Sequence, residues 1–398
     1  MKIYTYMCAI ETGKYDGNKT YLSGSYEFEN GIKIHDWDKN GWGYLSYDTG
    51  FSYSSNVAII NIIKDYLSLA QLKTCLENFG FGSKTGIELS NEESGNIDFE
   101  YETEIMSAGF GQGISTTPIQ QLQALSIIAN NGVMVKPYII NKIVDSKTNE
   151  EFVTEVKKSE KLVSDTTISK IKDLMESVIS PGSPTGGKYY LEGYELNGKT
   201  GTAQIFENGS YLTGSNDYIV SIALMYPKDD PEIIIYAAAK QPSSNANGVL
   251  QTPTKELVQN IAKYKGMFSE DKADSENISY KLSSYISKNV EEIKKELEEN
   301  NLNVVLVGDG NKVIKQYPSK NTDVIANDKI FILTNSTNFT MPDITNWSRH
   351  DVIKLCEFMG IECSFDGYGY VVSQSIKAGT KIDLNHKLEV LLGNIKSN

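Results

Sequence analysis

Cysteine and histidine are scarce here, four of the first and three of the second among 398. Cys8, Cys75, Cys356 and Cys363 lack metal-ligand spacing, and only three histidines are available. The pattern therefore argues against a zinc site, and no sequence feature asks for a cofactor. Free thiols inside cores are the expected state of the cysteines, with a Cys356–Cys363 bridge as the alternative that geometry decides. Basic residues are also short. The 38 Lys and Arg against 51 Asp and Glu leave a net charge of −13, which argues against nucleic acid as a partner because phosphate contacts need a basic face. There is no phosphate-binding glycine loop, no kinase catalytic loop, no secretory signal pattern and no apolar run of about 18 residues. What the chain does hold is 40% apolar residues, enough for one large domain and something smaller.

The N-terminus enters directly into an apolar helical pattern, Ile3-Tyr4-Thr5-Tyr6-Met7-Cys8-Ala9-Ile10, with no cap ahead of it and Gly13 behind it. Residues 14–50 are rich in Gly, Tyr and Trp and read as loops and small strands, with Trp37 and Trp42 as loop packing or a cleft wall. Ser54 and Asn56 stand at or just before a helix carrying Val57, Ile60, Ile63 and Leu67, so helix capping explains either one. Ser68 and Gln71 form a capping box for the next helix. Residues 83–115 are rich in Gly and acids, and Glu88, Glu92 and Glu93 read as solvated surface. Thr117-Pro118 opens a helix that stops at Asn131-Gly132. A hairpin is expected across Ile139–Val144 and Phe152–Val156. Another helix follows at Ile168, Ile171, Met175 and Val178. Gly198-Lys199-Thr200-Gly201-Thr202-Ala203-Gln204 starts a strand whose two glycines would let a substrate backbone lie alongside. Ile219–Tyr226 and Ile233–Ala239 flank a turn short enough only for antiparallel pairing. A closing helix starts at Thr252-Pro253 and carries Leu257 and Ile261. The expected fold is α/β of the α+β type, an antiparallel sheet flanked by helices.

Residues 266–284 read as a linker, and beyond it the chain repeats. Val313-Ile314-Lys315-Gln316 recurs 58 positions on as Val371-Val372-Ser373-Gln374. The same offset pairs Val324 with Ile382 and Leu333 with Leu391. Upstream, an offset of 59 pairs Ile293 with Val352, Leu297 with Cys356 and Leu302 with Ile361. Each unit reads as helix, strand, strand, strand. Units this small have marginal cores and need a neighbour to pack on.

Lys199-Thr200-Gly201 is weak alone, and so is Ser54-Ser55-Asn56. In this order they match a motif set found in penicillin-binding proteins and serine β-lactamases. With His35-Asp36-Trp37, Gly41-Trp42-Gly43 and Gly109-Phe110-Gly111-Gln112-Gly113, residues 1–265 resemble the transpeptidase domain of class B penicillin-binding proteins. Residues 285–337 and 338–398 resemble two PASTA domains. The combination resembles division or sporulation enzymes of Gram-positive bacteria, which act at the extracytoplasmic face of the plasma membrane. The resemblance implies acyl transfer on D-Ala-D-Ala stem peptides of peptidoglycan, reactivity with β-lactams, and glycosyltransferase or divisome partners. It assigns Ser54 to proton relay, Asn56 to orienting the substrate amide, and Lys199 to a positive field. Thr200, Gly201 and Thr202 would bind the substrate carboxylate, with the Thr202 N–H as an oxyanion donor.

One part of the pattern is displaced. The family's Ser-x-x-Lys motif, aligned on the first helix, makes Lys2 the motif lysine and puts the nucleophilic serine two residues before Met1. The expectation is a truncated chain that is inactive as written, with its first helix partly uncovered and its stability low. Ser169–Lys172 and Ser269–Lys272 fit the spacing but fall after Ser54, out of order. Two other readings remain: a non-catalytic wall- or partner-binding fragment acting through the repeats, and a β-lactamase-like hydrolase, which would need a deacylating carboxylate and would not carry PASTA domains.

Overall fold

The computed structural model describes residues 1–393 apart from 98, 100, 146, 149, 208, 243–247, 266, 268–279, 325–327, 337–338, 368 and 383–386. Most of the linker and the Ser269–Lys272 pair lie outside the described residues. The chain divides into two compact units, Met1–Val258 and Gln259–Asn398.

The first unit opens with α1 (Lys2–Glu11), then four short strands, β1 (Thr20–Leu22), β2 (Ser25–Glu27), β3 (Lys33–His35) and β4 (Tyr44–Ser46). Helices α2 (Tyr47–Ser52), α3 (Asn56–Tyr66), α4 (Leu69–Asn78), α5 (Glu102–Phe110) and α6 (Pro118–Ala129) follow. Next come β5 (Val133–Val135), the hairpin β6 (Lys142–Val144) and β7 (Glu151–Val153), β8 (Lys158–Lys161) and α7 (Asp165–Ile179). Then come β9 (Asn197–Gln204), β10 (Phe206–Glu207), β11 (Ser210–Tyr211), β12 (Tyr218–Tyr226), β13 (Ile233–Lys240) and α8 (Gln251–Lys265), within which the unit boundary at Val258 falls. The main sheet has the order β13–β12–β9, antiparallel throughout, so β9 lies at an edge among the described strands.

Helix α1 is the centre of this unit. Seven consecutive residues, Ile3 to Ala9, are buried, as expected of a helix that is covered on all sides. The expected uncovered face is not there: α3, α4, α5 and α7 all pack against α1. Its polar groups are answered inside. The Tyr6 hydroxyl donates to Tyr47 O at 2.7 Å, Thr5 Oγ1 to Gly109 O at 2.7 Å, and the Tyr4 hydroxyl to Gln121 Oε1 at 3.1 Å. The expected capping box of Ser68 with Gln71 forms, and Thr117 forms another with Gln120.

The structure corrects several expectations. Cys8 and Cys75 form a disulfide, 67 residues apart in sequence, because α1 and α4 bring their Cα atoms to 6.2 Å. Cys356 and Cys363 are free thiols. Helix α5 lies within the stretch read only as glycine- and acid-rich. Glu92, on the surface as expected, also accepts from Thr85 N, Thr85 Oγ1 and Gly86 N, which lower its pKa, the Thr85 hydroxyl most. Glu88 is exposed and accepts from Ile139 N. Among the described residues of α8 the buried ones are Thr254, Val258 and Ala262, while Leu257 is 44% exposed, so the packed stripe lies one position off the expected one.

Gly198 also has a different reason from the one expected. A Cβ there would stand 2.5 Å from Leu224 Cδ2, 2.7 Å from Ile179 Cδ1 and 2.9 Å from Ala223 O. The missing side chain makes room for α7 against the sheet, not for a ligand. At Gly201 a Cβ would meet Ser221 Oγ at 2.6 Å. Gly198→Ala should therefore destabilise the first unit by about 2 kcal/mol through overpacking, read as a lower urea midpoint with an unchanged slope.

The second unit holds two copies of one motif. The first comprises β14 (Tyr280–Lys281), α9 (Val290–Glu299), β15 (Asn303–Val307), β16 (Val313–Tyr317), β17 (Asp323–Val324) and β18 (Lys329–Thr334). The second comprises β19 (Phe339–Thr340), α10 (Arg349–Met359), β20 (Glu362–Gly367), β21 (Tyr370–Gln374), β22 (Lys381–Ile382) and β23 (Lys387–Gly393). The sheets are β15–β18–β16 and β20–β23–β21, each with one parallel and one antiparallel pair. Even the irregularities repeat: register shifts fall at Val313/Lys315 and at Val371/Ser373. Gln316 accepts from Tyr285 N and donates to Ser283 O and Pro318 O. Gln374 does the same with Ile344 N, Pro342 O and Ile376 O. The copies share a core in which Val305, Val307 and Phe331 of the first join Val352, Leu355 and Phe358 of the second.

Candidate active site

Two lysines and one serine meet at the N-terminal end of α1. Lys2 Nζ donates to Ser54 Oγ at 3.0 Å and to Ser54 O at 2.5 Å. Lys199, the third residue of β9, reaches the same hydroxyl at 2.8 Å and also donates to Thr200 O at 3.0 Å. With both amines donating to it, Ser54 Oγ keeps its own proton for a third partner. The residues lie 52 and 145 positions apart, so only the tertiary fold brings them together.

Burial dominates the electrostatics. The Lys2 ammonium is pushed down to about 8 from 10.5 by desolvation, opposed by the attraction of Asp36. Lys199 lies well below the usual lysine range through burial and then the like charge of Lys2. The Met1 amine, enclosed beside both, is pushed down to about 5 by burial, Lys2 and Lys199. A lysine near 8 is about one-tenth neutral at pH 7, which suits a general base.

Ser54 sits at φ +54°, in the left-handed region. A non-glycine residue there is held by its surroundings, and such strain clusters at functional sites. The helix cap is neither Ser54 nor Asn56 but Ser55, whose Oγ accepts from Ala58 N. The side-chain nitrogen of Asn56 donates to His35 O at 2.9 Å.

Sequence reasoning quoted Asp36 inside a motif and gave it no task. It is 2% exposed and accepts four hydrogen bonds. Oδ1 takes Ser55 Oγ at 2.8 Å, Asn56 N at 2.6 Å and Val57 N at 3.0 Å; Oδ2 takes Gly24 N at 2.9 Å. The two amides from α3 are among the donors that a helix start leaves unpaired. The available signal was a carboxylate upstream of a helix start, too common to single out.

The tryptophans form a wall beside the serine. Trp37, 60% exposed, donates from Nε1 to Tyr53 O at 2.9 Å, and its ring centroid lies 5.1 Å from that of Trp42. Trp42 in turn meets Tyr53 edge-on at 4.9 Å. Thr200 and Gly201 are part-buried and Thr202 is exposed, on the edge strand that also carries Lys199. Gln112 reaches Gln204 at 3.4 Å, tying the loop after α5 to the far end of β9. Ser169 and Lys172 do not join this cluster; Lys172 donates to Asp229 O. A separate trough of about 420 Å³, lined in part by Tyr21, Tyr26, Asn61 and Asp65, includes none of Lys2, Ser54 and Lys199.

A family model described as the penicillin binding protein transpeptidase domain matches residues 1–263, and PASTA domain models match 280–336 and 339–394. Stage V sporulation protein D of Bacillus subtilis is 31% identical over 348 residues, covering 83% of this chain and 52% of that protein. Penicillin-binding protein 2B of Streptococcus pneumoniae is 25% identical over 298 residues, covering 67% of this chain and 43% of that protein. Among solved structures, Penicillin Binding Protein 2X from Streptococcus thermophilus aligns at a TM-score of 0.59 with 27% identity, over 99% of this chain and 60% of that one. The chain thus spans about half the length of the curated relatives it matches. With the lysine–serine–lysine cluster on one side and these matches on the other, the chain belongs to the penicillin-binding transpeptidase family and carries two PASTA domains.

Proposed function

We infer that residues 1–263 are the acyl-transfer core of a peptidoglycan D,D-transpeptidase that cross-links stem peptides in division or sporulation. The observation that carries this reading is the convergence of Lys2 and Lys199 on Ser54 Oγ. In the proposed reaction the serine of the family's Ser-x-x-Lys motif attacks the carbonyl carbon of the penultimate D-Ala. Its proton passes to the neutral Lys2 amine. The C–N bond breaks, and the leaving amine of the terminal D-Ala takes a proton from Lys2 through Ser54. The resulting ester is then attacked by an amine of a neighbouring strand, which displaces the serine and returns its proton. Asn56 orients the substrate amide. Lys199 supplies a positive field, Thr200, Gly201 and Thr202 receive the terminal carboxylate, and the Thr202 N–H supports the oxyanion.

β-Lactams would enter the same cradle as acylating substrates. The Cys8–Cys75 disulfide supports work outside the cytosol, where such bonds persist, at the outer face of the plasma membrane. Among the described residues no helix is long and apolar enough to cross a membrane.

A fluorescent penicillin tests the reading. The polypeptide of residues 1–398 should show no covalent label, and the same polypeptide extended by Ser-x ahead of Met1 should be labelled. A labelled 1–398 chain would overturn the assignment of the nucleophile. An extended chain that folds yet stays unlabelled would overturn the transpeptidase reading.

A further inference from the structure

The turn that presents Ser54 does not stand by itself. Ser54 is in the left-handed region, Ser55 is buried, and α3 begins at once with Asn56. Lys2 and Lys199 hold Ser54 from one side. From the other side the partner is Asp36, whose carboxylate takes Ser55 Oγ and the amides of Asn56 and Val57. Asp36 is itself fixed. Its Oδ2 accepts from Gly24 N and its own amide donates to Gly24 O, both at 2.9 Å. Gly24 in turn lies against Gly41, and a Cβ on Gly24 would come within 3.2 Å of the Gly41 backbone.

Resting on the transpeptidase reading above, we propose that Asp36 is a positioning residue: it clamps the Ser54–Asn56 turn so that Ser54 Oγ stays between the two lysines. Its charge has a second effect. Lys199 from β9 and the Met1 amine also face Lys2, both pushed toward the neutral form chiefly by burial, and Asp36 faces it with a negative charge. The carboxylate therefore favours the Lys2 ammonium and partly offsets the burial that disfavours it. One buried group both places the proton relay and sets how readily its neighbouring base is neutral. The middle residue of Ser-x-Asn is not a free position here either, since Ser55 is the link between clamp and turn.

The test uses the 1–398 chain and needs neither substrate nor acylation, so its failure is separable from that of the transpeptidase reading, which the penicillin label decides. Asp36→Asn keeps the shape and removes the charge. Amide hydrogen exchange at Gly24, Asn56 and Val57 should speed up roughly tenfold or more, the scale of a lost charged hydrogen bond, while α7 stays protected. The Lys2 side-chain titration, followed by ¹³C-lysine NMR with Lys2→Arg as the assignment control, should move to lower pH. Ser55→Ala, which keeps the carboxylate, should loosen the same amides and leave the Lys2 titration in place. It also decides the clamp if Asp36→Asn does not fold. Unchanged exchange at the turn, or exchange that rises equally in α7, would show that Asp36 serves only general stability and would overturn the proposal.

Discussion

Lys2→Met should melt at a higher temperature than the parent chain at pH 7, although it removes two hydrogen bonds. Lys2 carries its charge into the interior. The folded state holds it at about 8 against 10.5 for the free side chain, a depression equivalent to about 3 kcal/mol. Part of the side chain still meets solvent, so about 2 kcal/mol is the realistic scale. The sign follows from proton binding. Below pH 8 both states are protonated and the folded state bears the whole penalty. Between pH 8 and 10.5 the folded state has released a proton that the unfolded state keeps, so parent stability rises with pH across this window and levels above it. Methionine has nothing to release. Its advantage should be largest at and below neutral pH, shrink from pH 8 to 10.5 and vanish above. Removing Lys2 also relieves Lys199, whose pKa it lowers. Calorimetry should show the midpoint raised by about 5 °C at pH 7. An unchanged or lower midpoint there would mean that the Ser54 contacts outweigh the buried charge. A gain on losing a catalytic candidate is the usual signature of a site kept at a cost to the fold.

What could be read from residues alone divides along physical range. The capping box at Ser68 and the helix start at Thr117-Pro118 were legible because they are settled within four residues. The tandem repeats were legible because the duplication prints one pattern twice, down to a shared bulge and a shared glutamine clamp. Ser54, Lys199 and Lys2 could be set side by side only through resemblance, since nothing local couples residues 145 positions apart. The misses are long-range in the same sense. Asp36 acts 19 to 21 positions downstream. Gly198 was assigned to a ligand when the atoms against it are Ile179 and Leu224. Helix α5 escaped because four of its nine residues are Glu, Thr or Ser, leaving a weak apolar stripe in a segment whose glycines suggested loop.

Cys75→Ser should cost the first unit about 4 kcal/mol, the largest stability loss expected of any single change considered. The bond joins α1 to α4 across a separation of 67 residues. Opening it gives the unfolded chain back the freedom of a loop that long, worth about 4 kcal/mol in the chain-entropy account. The effect belongs mainly to the unfolded state, so the folded chain with the bond cut should keep its helices and its lysine–serine–lysine contacts. Far-ultraviolet circular dichroism at 25 °C should be unchanged while the melting midpoint falls by about 10 °C. Reductant added to the parent should reproduce the drop, and reductant added to Cys75→Ser should do nothing further, because Cys356 and Cys363 are already thiols. Ser54 and Asn56 lie inside the closed loop, whereas Lys199 lies outside it. A drop of under about 1 kcal/mol would mean that the reduced unfolded chain stays compact around α1, whose seven consecutive buried residues are the part of this molecule best suited to hold residual apolar structure.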